Sequence, residues 1–163
     1  ESLTDPLVAE FDGTVTTVAA IAGSQTNAVA GTWEVENGAV IAKRRRGWAD
    51  YTVTFPEQDL YCLTVNAAHL WTKSTCTPIA PVDTSALQIY VDGTYVGKYE
   101  LVSANGINAD VRAFLPVLPA GEHTVRVFWE NTNRRLSLKI NDLKLQSLGG
   151  PDANGNGRMS TCS

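Results

Sequence analysis

Few groups in this chain of 163 residues could make or break covalent bonds: two histidines, three cysteines and scattered carboxylates. His69 and His123 belong to none of the spacings that build a catalytic site, for there is no G-x-S-x-G elbow, no H-E-x-x-H and no glycine-rich phosphate loop. His123, in Gly121-Glu122-His123-Thr124 at a turn-to-strand junction, reads as structural. Paired carboxylates could hydrolyse a glycosidic bond at about 5 to 10 Å separation, a distance no sequence spacing tests. The chain therefore reads as a non-enzyme. Cys62 and Cys76 lie fourteen residues apart, and a disulfide between them would stabilise by up to about 3 kcal/mol in the chain-entropy model. That pairing stays open, because Cβ geometry is not written in sequence. Cys162 is left over, and the absence of C-x-x-C spacing argues against zinc.

Groups suited to binding are better represented. Lys43-Arg44-Arg45-Arg46 is the dense charge run of an acidic chain. It is either a solvated strand end or a patch that captures carboxylate or sulfate through forked guanidinium hydrogen bonds. Tryptophans are the second class, since an indole held in a loop stacks on the apolar face of a sugar ring. Trp129 and Trp48 read as core, whereas Trp71, in the irregular stretch 68–83, and Trp33, between Gly31-Thr32 and Glu34, could be core or platform. Tyr95 and Tyr99 share one parity and read as sheet packing.

Strands must position these groups, because a period of two dominates the apolar pattern. Tyr51, Val53 and Phe55 alternate with threonine; after a turn at 56–59, Tyr61, Leu63 and Val65 resume, and these two runs are expected to pair. Leu87, Ile89 and Val91 lead into Asp92-Gly93, the dipeptide of a two-residue hairpin, with 95–101 returning antiparallel. Leu118-Pro119-Ala120-Gly121 is a turn before Val125, Val127 and Trp129. Leu136, Leu138 and Ile140 change parity at Leu143 and Leu145, which calls for a bulge near Asn141 and Asp142. Segment 15–22 favours strand through its threonines and valines. Short strands between Gly, Pro and Asx turns, without a βαβ rhythm or a repeat, predict an all-β fold, an antiparallel β-sandwich. Seventeen acids against thirteen bases leave a net charge of −4, which argues against a nucleic-acid or anionic-membrane partner. No apolar run approaches the roughly 18 residues of a spanning helix.

Three segments together resemble carbohydrate-binding modules of the family 6, 35 and 36 group: Gly47-Trp48-Ala49-Asp50-Tyr51-Thr52-Val53, Leu87 to Gly97 (LQIYVDGTYVG) and Leu118 to Val127 (LPAGEHTVRV). Their order and spacing match over roughly residues 40 to 146. The resemblance implies a jelly-roll sandwich without catalysis, and a structural calcium between first and last strands. Glu10, Asp12 and Asp142 stand where its ligands would fall; an Asp142 that merely caps a bulge is the alternative. Calcium takes six to eight oxygens at about 2.3 to 2.6 Å. In related modules an asparagine two residues before that aspartate contacts sugar; Asn141, one residue before it, is the nearest match. The loop that often carries a tryptophan reads here 104–110 without an aromatic, so sugar recognition is expected from Asn105, Asn108 and Asp110, or from Trp33, Trp71 and Arg44 to Arg46.

Gly149-Gly150-Pro151 reads as a boundary, giving a sandwich module over 1–148 and a tail over 149–163. Asp152, Asn154 and Asn156 with Gly157 fit the opening of a D-x-[DN]-x-[DN]-G calcium loop, similar to a dockerin or thrombospondin-like repeat. Its twelfth position is Ser163 rather than a bidentate acid, so this second site is expected to be weak. The expectation is a non-catalytic carbohydrate-binding module of a secreted or cell-surface bacterial protein with further domains, holding a neutral or acidic glycan. A structural or adhesive spacer that binds protein is the alternative.

Overall fold

The structure, a computed structural model, describes residues 16–31, 33–42, 46–71, 83–104, 106–130 and 136–147, with backbone alone at Thr16, Arg46, Trp71 and Asp83. Eleven strands lie among them: Thr16–Ala22 (β1), Ala28–Ala30 (β2), Trp33–Glu36 (β3), Ala39–Ala42 (β4), Arg46–Phe55 (β5), Tyr61–Trp71 (β6), Asp83–Val91 (β7), Thr94–Ser103 (β8), Asn108–Phe114 (β9), Gly121–Glu130 (β10) and Leu136–Ser147 (β11). They form two antiparallel sheets. Sheet I runs β2-β5-β10-β7-β8; sheet II runs β3-β4-β11-β6-β9, with β1 also paired to β11. The chain is a β-sandwich, as the alternating pattern predicts.

Alternation supplies the core. Sheet I turns Tyr51, Val53, Phe55, Leu87, Ile89, Val125, Val127 and Trp129 inward against Leu63, Val65, Val111, Leu138, Ile140 and Leu143 of sheet II. Each such side chain contributes about 1.5 to 3 kcal/mol by leaving water. A buried polar contact crosses the same interface. His69 Nε2 lies 2.7 Å from Ser85 Oγ, which also accepts the Trp129 indole N–H at 2.9 Å.

Several local expectations hold. Asp92 and Gly93 take φ of 50° and 82°, the left-handed pair a type I′ turn requires, and Val91 faces Thr94 across it. Asn37-Gly38 makes a similar turn between β3 and β4, unread in the sequence. The parity change in β11 is a register shift between Ile140 and Asp142, with both flanking runs facing the core. Gly23 lies against that bulge. Its N–H donates to the Asn141 carbonyl at 2.8 Å, and a Cβ there would stand 1.9 Å from the Ile140 carbonyl oxygen.

Four expectations are corrected. β5 and β6 do not pair: each is amphipathic toward the same core, so the turn between them carries the chain from sheet I to sheet II. Phe55 and Tyr61 meet edge-to-face there at 5.2 Å. Trp48 is not core, because its parity is opposite to that of inward Ala49 and Tyr51, and it lies half-buried on the outer face. Tyr95 and Tyr99 do not share a face, since the register shift at Ile89/Tyr90 leaves Val96 unpaired; Tyr95 is exposed while Tyr99 packs on the core. Residues 68–71 are not irregular, for β6 pairs with β11 as far as Trp71 opposite Leu136.

Candidate functional site

Sheet I has an outer face richer in aromatics than solvent requires. Register places Asp50, Arg126, Tyr90 and Tyr95 in one row across β5, β10, β7 and β8. The next row is Trp48, Phe128, Gln88 and Lys98. Trp48, Asp50, Tyr90, Thr124, Arg126 and Phe128 line an open depression of about 380 Å³, within the size range of small-ligand sites.

Its polar groups are fixed. Arg126 donates from Nε to Asp50 Oδ1 at 2.7 Å and from Nη2 to Asp50 Oδ2 at 3.0 Å. These bonds hold the guanidinium pKa above its ordinary value. The same guanidinium lies 3.7 Å from the Trp48 ring centroid, a cation–π contact that orients the indole. Two of the five N–H donors of arginine are thus engaged, leaving three for a ligand. Beside them Tyr90 donates to Gln88 Oε1, and Gln88 Nε2 donates to Glu130 Oε2, each at 2.7 Å. Lys98 Nζ lies 3.2 Å from that same Glu130 oxygen. Each charge is answered by another, so the depression offers flat apolar rings and oriented hydrogen-bonding groups without a net field. That suits a polyhydroxylated neutral molecule with apolar ring faces.

A second cluster sits on the outer face of sheet II. Asn141 Nδ2 donates to Asn66 Oδ1 at 2.9 Å and to Asn108 Oδ1 at 2.8 Å, while Asn66 Nδ2 donates to Asp110 Oδ1 at 2.8 Å. The β11 bulge is what brings Asn141 there, beside Asp142, which pairs with Asn66. Asp142 Oδ1 is buried without a hydrogen-bond donor. A carboxyl oxygen in that state fits a ligand of a hard cation. Among the described residues no group of three or more His, Cys, Asp or Glu side chains comes together to complete such a site.

Nucleophilic chemistry finds no opening at the Ser85–His69 contact, since both residues are buried. His123 is structural, as expected. Its Nδ1 lies 2.5 Å from Asp92 Oδ2 and its Nε2 2.7 Å from the Pro119 carbonyl, tying the β7–β8 hairpin to the turn before β10.

No protein-family profile matches the chain, and no curated protein does. Solved structures do. CsCBM6-3 from Clostridium stercorarium, in complex with cellobiose, has a TM-score of 0.56 at 13% identity over 82% of this chain and 97% of that one. A family 35 carbohydrate-binding module from Clostridium thermocellum gives 0.55 at 15% over 82% and 98%. A family 36 module in complex with calcium and xylotriose gives 0.51 at 11% over 78% and 99%. The chain has the fold of these carbohydrate-binding modules.

The sequence-predicted residues fall into four groups. Asn108 and Asn141 are brought together with Asp110 and Asn66. Trp33 is half-buried against the core and donates its indole N–H to the Ala30 carbonyl at 2.7 Å; it packs at the core rim and is not among the residues that line the aromatic depression. Arg46 and Trp71 are strand-end residues of β5 and β6. Arg44, Arg45, Asn105, Glu10, Asp12, Asp152, Asn154 and Asn156 lie outside the described residues, as do Cys76 and the boundary at 149–151. Sequence reasoning missed the outer-face set of Trp48, Asp50, Tyr90, Arg126 and Phe128. Its signal was parity: each lies one step from an inward residue of its strand.

Proposed function

We propose that this chain is a non-catalytic glycan-binding module that seats a sugar chain across the outer face of sheet I. The observation that carries this reading is the depression in which Trp48, Phe128 and Tyr90 surround the Asp50–Arg126 pair. Sugar ring faces pack on the aromatic rings, and hydroxyls meet the remaining Arg126 N–H groups and Thr124. The row from β5 to β8 crosses three strand spacings, about 14 Å, which suits a short oligosaccharide stretch. Two modules of like fold were solved with cellobiose and with xylotriose, which supports a glycan as partner. The arginine run Arg44 to Arg46 leads into β5 just ahead of Trp48 and gives acidic glycans a second point of attachment.

The asparagine cluster of sheet II supports a second seat for the same class of ligand, because amides already aligned by one another present oriented donors and acceptors. Calcium belongs to this reading through Asp142, with Glu10 and Asp12 as its proposed companions and Asp152, Asn154 and Asn156 as a weak second loop. When bound, the ion would neutralise buried carboxylate charge and tie the ends of the sandwich. We place the module over 1–148 of a secreted or cell-surface bacterial multidomain protein, where tethering raises the effective concentration of its neighbours at the polysaccharide.

The test is a glycan array of neutral, uronic and sulfated polysaccharides, followed by calorimetry. Trp48→Ala is expected to weaken binding by about 5- to 150-fold, in line with about 1 to 3 kcal/mol per stacked ring, while the circular dichroism spectrum is kept. Binding lost with Asn108→Ala but kept with Trp48→Ala moves the seat to sheet II. A folded protein that binds no glycan overturns the reading and leaves the adhesive spacer.

A further inference from the structure

A second cavity opens where the two sheets part. β8 is the edge of sheet I and β9 the edge of sheet II. Between the β7–β8 hairpin and the segment that follows β9 lies a groove of about 540 Å³, walled by Tyr95, Val96, Phe114, Pro116 and Leu118, with Val91 at its floor. Val96 and Leu118 are core-packed side chains left partly open, and Tyr95 is 54% exposed. Apolar surface of this kind, gathered in one concavity, marks a binding site more often than chance exposure does.

Its chemistry is narrow. Asp92 is the charged residue among those lining it, and both of its oxygens are engaged, one by His123 and the other by the Thr124 N–H at 2.9 Å. With its charge already answered, the groove takes a neutral apolar group rather than an ion. Its volume holds an aryl ring or a short acyl chain. Its position says what carries that group. Tyr95 forms its wall and also meets Tyr90 at 5.5 Å, nearly edge-to-face, while Tyr90 lines the outer-face depression. A glycan lying along the row from Asp50 to Tyr95 therefore ends at the lip of the groove.

The geometry points to recognition of a hydrophobic substituent, an aryl or acyl group borne on a sugar, seated in this groove while the sugar occupies the outer face of sheet I. This inference rests on the proposed glycan seat and adds to it a selectivity for decorated over bare chains.

Isothermal titration with cellobiose and xylotriose, each as its methyl and its 4-nitrophenyl β-glycoside, tests it. The nitrophenyl glycoside should bind about tenfold more tightly than the methyl glycoside, as expected for one ring leaving water. Pro116→Asp and Thr94→Asp place a charge on opposite, exposed walls of the groove. Each should erase the gain and leave the methyl glycoside unaffected, while Trp48→Ala weakens both ligands. Equal affinity for the two glycosides overturns the groove proposal and leaves the glycan seat standing. So does a gain that survives both groove variants, which would put the aryl ring on the sheet. A gain that vanishes with protein concentration, accompanied by dimers in analytical ultracentrifugation, assigns the groove to a second copy instead. If no glycoside binds, the glycan seat and the groove proposal fall together.

Discussion

Arg126 is the side chain on which the outer face of sheet I depends, because it serves Asp50 and Trp48 at once. Asp50 is buried although it faces outward, so a carboxylate that had lost its forked partner would be left poorly solvated. Arg126→Ala should accordingly cost about 1 to 3 kcal/mol in urea unfolding and also release the indole, weakening glycan binding. Arg126→Lys separates the two roles. A single ammonium keeps charge opposite Asp50 but cannot form the fork or lie flat on the ring, so stability should recover more than binding. Equal recovery of both would remove the stacked geometry from the recognition argument. At this scale the sequence was least legible. Trp48 sits one residue from inward Ala49 and three from inward Tyr51, and its place beside the alternating Tyr51 strand suggested core. Only the strict period of two, applied residue by residue, turns it outward.

Elements were more legible, since hairpin chemistry and parity act locally. Asp92-Gly93 fixed its turn and Leu143 announced the β11 bulge. Which strands would neighbour one another was not legible, because partners such as β10 and β5 lie far apart in the chain, and any strand with one apolar face fits either sheet. The bulge makes a demand on β1's continuation. Gly23→Ala drives a methyl group into the Ile140 carbonyl, so we expect loss of several kcal/mol, about that of overpacking with backbone displacement, read as a lowered melting temperature. The hairpin strap makes a different prediction. The Asp92 hydrogen bond, then the Pro119 carbonyl, raise the His123 pKa, both ring nitrogens facing acceptors. Burial alone would raise Asp92, but the hydrogen bonds from His123 and the Thr124 N–H outweigh it and lower its pKa. A raised histidine stabilises fully below its unfolded pKa of about 6.5 and ceases to do so as pH rises through its folded value. The lowered aspartate stabilises above about 3.9 and loses its effect as pH falls through its own. Melting temperature should therefore be highest between about pH 4 and 6.5 and decline above it, and His123→Phe should flatten that alkaline decline. An unchanged decline in the variant would assign it to other groups.

Across the whole molecule the two sheets are held by a continuous apolar core and the buried His69–Ser85–Trp129 contact, and the pairing of β1 with β11, the first and last described strands, adds a further constraint. That strand is central to sheet II, paired with β6 along its length and with β4 and then β1 on its other side. A group that fixes its bulge therefore acts on three neighbouring strands rather than on a loop. Asp142 Oδ1, buried and without a donor, is the weak point of this arrangement as a bare polypeptide, for a buried carboxyl oxygen without a partner costs more than a satisfied one. The calcium proposed at Asp142 would convert that cost into cohesion, and because it would bind the folded chain alone, it would stabilise by mass action. At calcium about a hundredfold above its dissociation constant this amounts to about 2.7 kcal/mol, or about 5 to 10 °C for a domain of this size. Removing calcium with chelator should lower the melting temperature by that amount. Asp142→Asn should be indifferent to calcium and melt at or somewhat above the chelated wild type but below the calcium-loaded one, since an amide at the same place fills the same volume without the charge. Melting that ignores calcium in the wild type, together with a stabilised Asp142→Asn, would mean that Asp142 is a strained bulge residue and that the ion plays no part in joining β11 to the rest of the sandwich.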